Sequence, residues 1–328
     1  MAEDRHIVQF TRSAIGRQGY GCMGLSSIYG KAEDENSIRT IHRALDLGVR
    51  FFDTANVYGN GHNEELLARA LAGRRDGIVL ATKFGNRMPT DGEERAVIGT
   101  ADYARRQVEA SLRRLRTDHI DLYYLHRVDP ETAIEDTIEG LARLKQEGKI
   151  GAIGLSEAPA DLIRRAHAVH PIAALQSEYS IWERHVEDSV LPTVRELGIA
   201  FVAYSPLGRG FLAGNVPTDP TDRRHQHPRY QPDVIAANAA RLAMIEGIAT
   251  DLGASVAQLS LAWLIARDVV PIPGTRHIAN LETNVAANEI VLDATALERL
   301  EAAFPAGATA GERFWPQARA QLLALGLR

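Results

Sequence analysis

Four side chains in the first 126 residues could, if gathered, move a proton: Asp53, Tyr58, Lys83 and His126. A phenol with an ordinary pKa near ~10 is a poor acid at neutral pH. An ammonium a few ångströms away stabilises the phenolate and makes the phenol a better donor. The ammonium in turn needs a carboxylate to stay charged and fixed, a part open to Asp53. A neutral imidazole beside the phenol can orient and polarise a carbonyl oxygen. Such a set is a general acid poised over a carbonyl. It contains no metal-ligand pattern and no nucleophile–base pair, and a cofactor must supply the reductant it lacks.

Gathering these residues requires a scaffold, and the chain supplies a regular one. Short apolar, β-rich runs recur at 19–24, 49–53, 78–82, 120–125, 150–155, 172–176, 199–204 and 269–272. The run from Ile199 is apolar on every residue, as strands covered on both faces are. Helical stripes lie between the runs: Ile38, Ile41 and Leu45; Ala104, Val108, Leu112 and Leu115; Ile134, Ile138 and Leu141. Arg105, Arg106, Arg113 and Arg114 read as a solvated helix face, since acidic residues are interspersed among the basic ones. Strand and helix alternating over 328 residues, with eight strands, predict an α/β chain folded as one (β/α)8 TIM barrel with a C-terminal extension. A doubly wound sheet would show five to seven strands. One domain is expected over 1–328, with a long polar loop at about 207–233 and a tail at about 305–328. In a barrel, function sits where the strands end. The ends here are Asp53, Lys83, His126, Ser156-Glu157, Gln176, Tyr204-Ser205 and Gly274-Thr275-Arg276.

Composition removes other classes. Apolar residues at 45% and charged ones at 24% are the balance of a soluble globular protein. A formal charge of −5 leaves no electrostatic footprint for nucleic acid. The lone Cys22 excludes a disulfide framework and a cysteine-ligated zinc. The pair His225 and His227 has no nearby carboxylates, so no metal is expected there. A charged start predicts no signal peptide, and the most apolar stretch, 259–266, is too short to cross a bilayer, so a cytoplasmic protein is expected. Gly19, Gly21 and Gly24 spell a dinucleotide-binding fingerprint letter for letter. They fall within the first strand, however, and a turn-prone segment follows where that motif needs a helix.

With Gly48-Val-Arg-Phe-Phe-Asp-Thr-Ala-Asn-Val-Tyr-Gly, Leu80-Ala-Thr-Lys-Phe-Gly, Ile120-Asp-Leu-Tyr-Tyr-Leu-His-Arg, Gly148-Lys-Ile-Gly-Ala-Ile-Gly-Leu-Ser, Tyr204-Ser-Pro-Leu-Gly-Arg-Gly-Phe-Leu and Pro271-Ile-Pro-Gly-Thr-Arg, nearly the whole chain resembles the aldo-keto reductase superfamily. The bacterial and plant auxin-induced-like branch is the nearest. The resemblance implies Tyr58 as general acid, Lys83 and Asp53 as its tuning pair, and His126 as substrate orienter. It implies NADPH as hydride donor, with Ser156 and Gln176 at the carboxamide and Tyr204 stacked on the nicotinamide. Ser205, Leu207, Arg209 and Gly210 would follow the pyrophosphate; Gly274, Thr275 and Arg276 would surround the 2′-phosphate, with Asn284 at the adenine. Three positions depart from the common pattern: Glu157 replaces an asparagine, Gly274-Thr275 replaces a lysine–serine pair, and Thr283 replaces an acidic residue. Arg276 is then the main cation favouring NADP over NAD. The implied activity is reversible reduction of a small-molecule aldehyde or ketone, with no nucleic-acid or membrane partner. The alternative is an NADPH-binding regulatory module like the potassium-channel β-subunits. Tyr29, Phe84, Trp182 and Trp315 are aromatics that could wall the substrate pocket. Arg127 meets either an anionic substrate group or a structural ion-pair partner.

Overall fold

The computed structural model describes residues 10–88, 96–214, 217, 222–315 and 320. The charged N-terminal start, most of the tail beyond 315 and residues 215, 216 and 218–221 of the long loop lie outside them. Eight strands follow the eight runs: β1 (Tyr20–Gly21), β2 (Phe51–Asp53), β3 (Val79–Phe84), β4 (Ile120–Leu125), β5 (Ile150–Ser156), β6 (Ala174–Glu178), β7 (Ala200–Tyr204) and β8 (Val270–Pro271). They form one parallel sheet in chain order. Backbone bonds from Gly19 N to Pro271 O (3.0 Å) and from Gly21 N to Pro273 O (3.4 Å) join the first strand to the last. The sheet thus closes into a (β/α)8 barrel.

Each strand alternates between two cores, because successive side chains leave a strand on opposite faces. Phe51, Val79, Ala81, Leu122, Tyr124, Ala152, Ala174, Val202 and Val270 fill the barrel, and Ile15, from a turn before β1, packs with them. Phe52, Leu80, Phe84, Tyr123, Leu125, Ile153, Leu155 and Leu175 face outward into a second core shared with the helices.

The helices are α1 (Asp34–Asp46), α2 (His62–Ala70), α3 (Ala101–Leu115), α4 (Ile134–Gln146), α5 (Ala160–Val169), α6 (Val190–Glu196), α7 (Pro232–Asp251), α8 (Val256–Ala266), α9 (Ile278–Ala286) and α10 (Ala294–Ala303). Local chemistry sets their ends. Thr100 caps α3 by accepting from Tyr103 N, and α3 stops at Arg116, which is left-handed at φ 52°. Ser255 and Gln258 form a capping box on α8. The apolar stretch 259–266 is most of α8, buried on nearly every face beneath the other helices. Among the described residues no single helix is long and apolar enough to cross a membrane.

The expected loop at 207–233 is more structured than its polarity suggests. Short 3-10 turns at Gly208–Ala213, Arg223–Gln226 and Pro228–Tyr230 lead into α7, which begins at Pro232 with proline in its first turn. Gly21 of the rejected fingerprint has a different task, which it shares with Gly274. A Cβ on Gly21 would lie 2.6 Å from Ile272 O, and one on Gly274 would lie 2.4 Å from Gly21 O. Both residues let main chains meet at the seam where the barrel closes.

Gly21→Ala is therefore expected to lower stability by about 1–3 kcal/mol. Gly247→Ala, on α7 where an added Cβ meets nothing within 4 Å, raises it by about 0.5–1 kcal/mol. Urea-unfolding midpoints measure both; equal midpoints for the two variants would show that the seam tolerates a side chain.

Candidate active site

The inward register continues past the apolar layer into polar residues. Phe51 is followed by Asp53, Ala81 by Lys83, Tyr124 by His126, Ala174 by Gln176 and Val202 by Tyr204, each two positions on. Alternation alone thus puts five polar side chains at one end of the barrel, above a sealed apolar floor.

Lys83 is wholly buried. Its Nζ donates to Asp53 Oδ1, to Thr54 O (2.8 Å) and to Tyr58 Oη (3.4 Å). The second oxygen of Asp53 accepts from Gln176 Nε2 at 2.7 Å. Burial works against the ammonium, yet Asp53 and Tyr58 outweigh it and hold Lys83 above the ordinary lysine range. Tyr58 behaves differently from the sequence expectation. Burial lifts its pKa above the ordinary phenol value, and Lys83 only partly offsets that rise. Spacing reveals the ammonium but not the desolvation that beats it. His126 is buried too, and burial, then Lys83 and Arg127, push its pKa well below the usual histidine value. Its ring stands edge-on to Tyr58, centroids 6.0 Å apart, and Nδ1 has no hydrogen-bond partner among the described residues. The imidazole is therefore neutral beside the phenol. Cys22 is buried, and burial pushes its thiol well up, so it stays protonated.

Tyr58 opens a turn in which Gly59, Asn60 and Gly61 all have positive φ (57°, 53° and 95°). Neighbours that spacing did not single out hold this turn. Ser26 Oγ bonds His62 Nδ1, and His62 Nε2 bonds Asp34 Oδ1, both at 2.9 Å. Asn63 donates to Ser26 Oγ (2.7 Å) and to Cys22 O (2.9 Å), and accepts from Thr54 Oγ1 (2.6 Å). The loop after β1 is thereby fastened under Tyr58.

The residues expected at the cofactor lie around the same rim. Ser156 is buried and its Oγ accepts from Arg127 Nη1 at 3.2 Å. Gln176 has its amide nitrogen committed to Asp53, which leaves its carbonyl oxygen for any other partner. Tyr204 lies within 3.4 Å of Arg313 Nη2. Ser205, Arg209 and Gly210 have positive φ (49°, 55° and 105°) in the turn that also carries Leu207. After β8, Gly274 and Thr275 precede Arg276, and α9 begins at Ile278 with Asn284 buried on it. Arg276 donates to Tyr29 O (2.8 Å) and Gly30 O (3.0 Å), tying the turn after β8 to the loop after β1.

The four aromatics proposed as pocket walls part company. Tyr29 reaches the rim, with the Arg224 guanidinium 5.5 Å above its ring. Phe84 does not: one residue beyond Lys83 it points outward and stacks on Tyr123 at 5.0 Å. Trp182 is buried beneath the turn after β7, packed on Phe211 at 4.1 Å, where a Cβ on Gly208 would meet it at 2.2 Å. Trp315 is partly exposed, packs edge-on against His227 and donates to Gln226 O at 2.6 Å. His227 itself accepts from Arg229 N (3.2 Å), and burial lowers its pKa to about 4.

A buried ionic group completes the rim, and only Glu157 and Arg209 of it drew notice in the sequence. Glu157, left-handed at φ 52°, accepts from Arg313 Nη2 (2.6 Å), Ser177 Oγ (2.8 Å) and Glu178 N (2.9 Å). Burial alone would raise the Glu157 carboxyl, but Arg313 and Arg127 hold it well below the usual range. Glu178 bridges Arg209 (2.8 Å) and Arg313 (3.0 Å), and Glu183 pairs with Arg229 at 2.5 Å. Glu157, an unexplained departure in the sequence, is here the anchor for the C-terminal segment.

Comparison with known proteins agrees with this geometry. The profile of the Aldo/keto reductase family matches residues 18–304. A probable aldo-keto reductase 1 of Glycine max is 44% identical over 311 residues, covering 92% of this chain and 89% of that one. The glycerol dehydrogenase structure from Gluconobacter oxydans superposes with a TM-score of 0.82 at 29% identity, covering 92% of this chain and 94% of that one. An aldo/keto reductase from Klebsiella pneumoniae, solved with NADP and acetate, gives 0.71 at 27% identity over 92% and 95%. By its sequence and its barrel the chain belongs to the aldo/keto reductase family, whose members reduce carbonyls to alcohols with NAD(P)H.

Proposed function

We propose that the chain, working as a single barrel unit in the cytoplasm, reduces an aldehyde or ketone to its alcohol with NADPH, Tyr58 serving as the acid. The observation that carries this reading is the buried chain from Gln176 through Asp53 and Lys83 to Tyr58 Oη, set beside a neutral His126. Bound NADPH supplies the hydride that reaches the carbonyl carbon. The rim residues suit it. Left-handed Ser205 and Arg209 shape the turn after β7 as turns that bind phosphate oxygens are shaped, while the Gly210 amide is already bonded to Leu207 O at 3.0 Å. Arg276, at the start of α9, suits a 2′-phosphate, since a helix N-terminus and a guanidinium both favour an anion. Ser156 Oγ accepts from Arg127 and keeps its own hydrogen for a carboxamide oxygen.

The remaining chemistry belongs to the protein's side chains. His126, neutral, orients the carbonyl oxygen toward Tyr58. As hydride arrives at carbon, the phenol passes its proton to that oxygen, and the phenolate left behind is held by Lys83. Asp53 keeps Lys83 charged and fixed; it does not touch the substrate. In the reverse direction the phenolate removes the alcohol proton.

Tyr58→Phe is expected to leave NADPH affinity within about twofold, by fluorescence titration, while carbonyl reduction falls by about 10²–10⁴. Equal turnover by wild type and variant would remove Tyr58 from the role of acid. Because the phenol is raised above the ordinary value near ~10 and His126 is neutral throughout, reduction should stay level from about pH 6 to about pH 10 and fall only above it. Alcohol oxidation, which needs the phenolate, should climb across the same range. A loss of reduction between pH 6 and 8 would contradict this assignment. Arg276→Ala should raise KM for NADPH by about tenfold or more and that for NADH little; a parallel rise would move the 2′-phosphate elsewhere.

A further inference from the structure

The charged groups at the mouth pair off almost completely. Lys83 pairs with Asp53, Arg209 with Glu178, Arg313 with Glu157, Arg229 with Glu183 and Arg224 with Asp222. Five cations thus meet five carboxylates. Arg127 stands apart from this balance. It follows His126 directly in the chain and forms no ion pair among the described residues. Only its Nη1 is engaged, with His126 O (2.8 Å) and Ser156 Oγ (3.2 Å), both uncharged acceptors. Nε and Nη2 have no partner among the described residues.

The position of Arg127 is equally specific. Its bonds to His126 O and Ser156 Oγ set the guanidinium beside the residues expected at the carbonyl and the carboxamide, and its charge acts on Tyr58, Tyr204 and Glu157. Glu157, the carboxylate on which Arg127 acts, is already held by Arg313, Ser177 and the Glu178 amide. Of the two parts left open in the sequence, substrate anion or structural ion pair, no described residue fills the second. A half-buried guanidinium tethered at one nitrogen, with its other edge unused, suits a carboxylate or a phosphate through two parallel N–H···O bonds.

We propose that Arg127 binds an anionic group on the substrate, so that the preferred substrates are short aldehydes or ketones bearing a carboxylate or phosphate a few bonds from the carbonyl. This rests on the reading of the chain as a carbonyl reductase. Nothing in it requires Arg127 to take part in proton transfer. The residue sets which carbonyl compounds dwell long enough beside Tyr58.

Matched substrate pairs test the proposal: succinic semialdehyde against butanal, and glyceraldehyde 3-phosphate against glyceraldehyde, each with saturating NADPH and the full chain. For at least one pair, kcat/KM should favour the charged member about 10- to 100-fold. The pair that responds distinguishes carboxylate from phosphate. Arg127→Leu should bring the ratio close to one, Arg127→Lys should restore part of it, and NADPH affinity should stay within about threefold. A wild type indifferent to charge in both pairs, or a ratio that survives Arg127→Leu, overturns the proposal and leaves the reductase reading intact. A parallel loss on charged and neutral members with weakened NADPH binding assigns Arg127 to the cofactor and likewise overturns it. If no carbonyl compound oxidises NADPH, the reductase reading itself fails. Binding then still decides the anion site, because calorimetric titration should show succinate binding wild type more tightly than succinamide. The absence of that difference, or its persistence in Arg127→Leu, counts against the proposal.

Discussion

A buried ammonium is the constraint on which the mouth of this barrel depends. Lys83 has no exposed surface, and an unpaired cation there would cost several kcal/mol or lose its proton. It keeps the proton because β2 lies beside β3, with Asp53 paired in register to Ala81 and so one inward position below Lys83. Asp53 has to be held in turn, and Gln176 does so from β6. In the order of the sheet β6 is three strands beyond β3. An open sheet would keep β2 and β6 far apart. A closed barrel of eight strands has an interior just wide enough for side chains to meet across it. Closure at the seam of Gly19 and Gly21 with Pro271 and Pro273 is therefore a condition for Tyr58 to have a cation beside it.

The rim shows a second consequence of placing chemistry where strands end. Among the described residues, seven non-glycine residues have positive φ; Ser27, Asn60, Glu157, Ser205 and Arg209 of these lie in loops leaving the C-terminal ends of strands. Each such residue costs about 1–3 kcal/mol unless its surroundings over-determine it. For Glu157 and Arg209 the surroundings are ionic. Glu157 is fixed by Arg313, and Arg209 is fixed by Glu178, which Arg313 also holds. The segment from 309 to 315 is therefore more than an appendage to the barrel. Ala310 N bonds Asn238 Oδ1 (3.0 Å) on α7, and Gly311 O accepts from Arg229 (3.2 Å), so the same segment also fastens the turns after β7.

What the sequence disclosed and what it concealed divide along physical lines. The eight strands and the polar residues closing them were legible, since a two-residue period and short apolar runs are local properties. Asp53, Lys83, His126, Gln176 and Tyr204 are gathered by that alternation. Phe84 shows the same rule unused: one position past Lys83 has to face outward, and strand parity alone would have removed it from the pocket. Arg313 was out of reach, because its partner Glu157 is 156 residues away and no period links them. The raised Tyr58 was concealed for a different reason. Spacing can place an ammonium near a phenol, but the loss of water around the phenol is a property of the assembled fold. The helix α7 was masked by the polar stretch before it, and apolar residues spread around it gave no single stripe to follow.

The partners of the rim arginines separate structural charges from those available to a ligand. Arg209 and Arg313 are bonded to buried carboxylates. Withdrawing either toward an incoming anion would leave an uncompensated charge in the interior, a cost of several kcal/mol. Arg276 and Arg127 are bonded to main-chain carbonyls or a hydroxyl. Exchanging neutral acceptors for a phosphate or carboxylate strengthens the bonds and exposes no buried charge. By this criterion the guanidinium of Arg209 is spent on Glu178, and a cofactor at this turn would meet Arg209 only through its left-handed backbone. Among the described residues, Arg276 after β8 and Arg127 after β4 are rim cations bonded to uncharged acceptors alone, and they lie at separate places. An anionic cofactor and an anionic substrate can therefore be recognised side by side without competing for one charge.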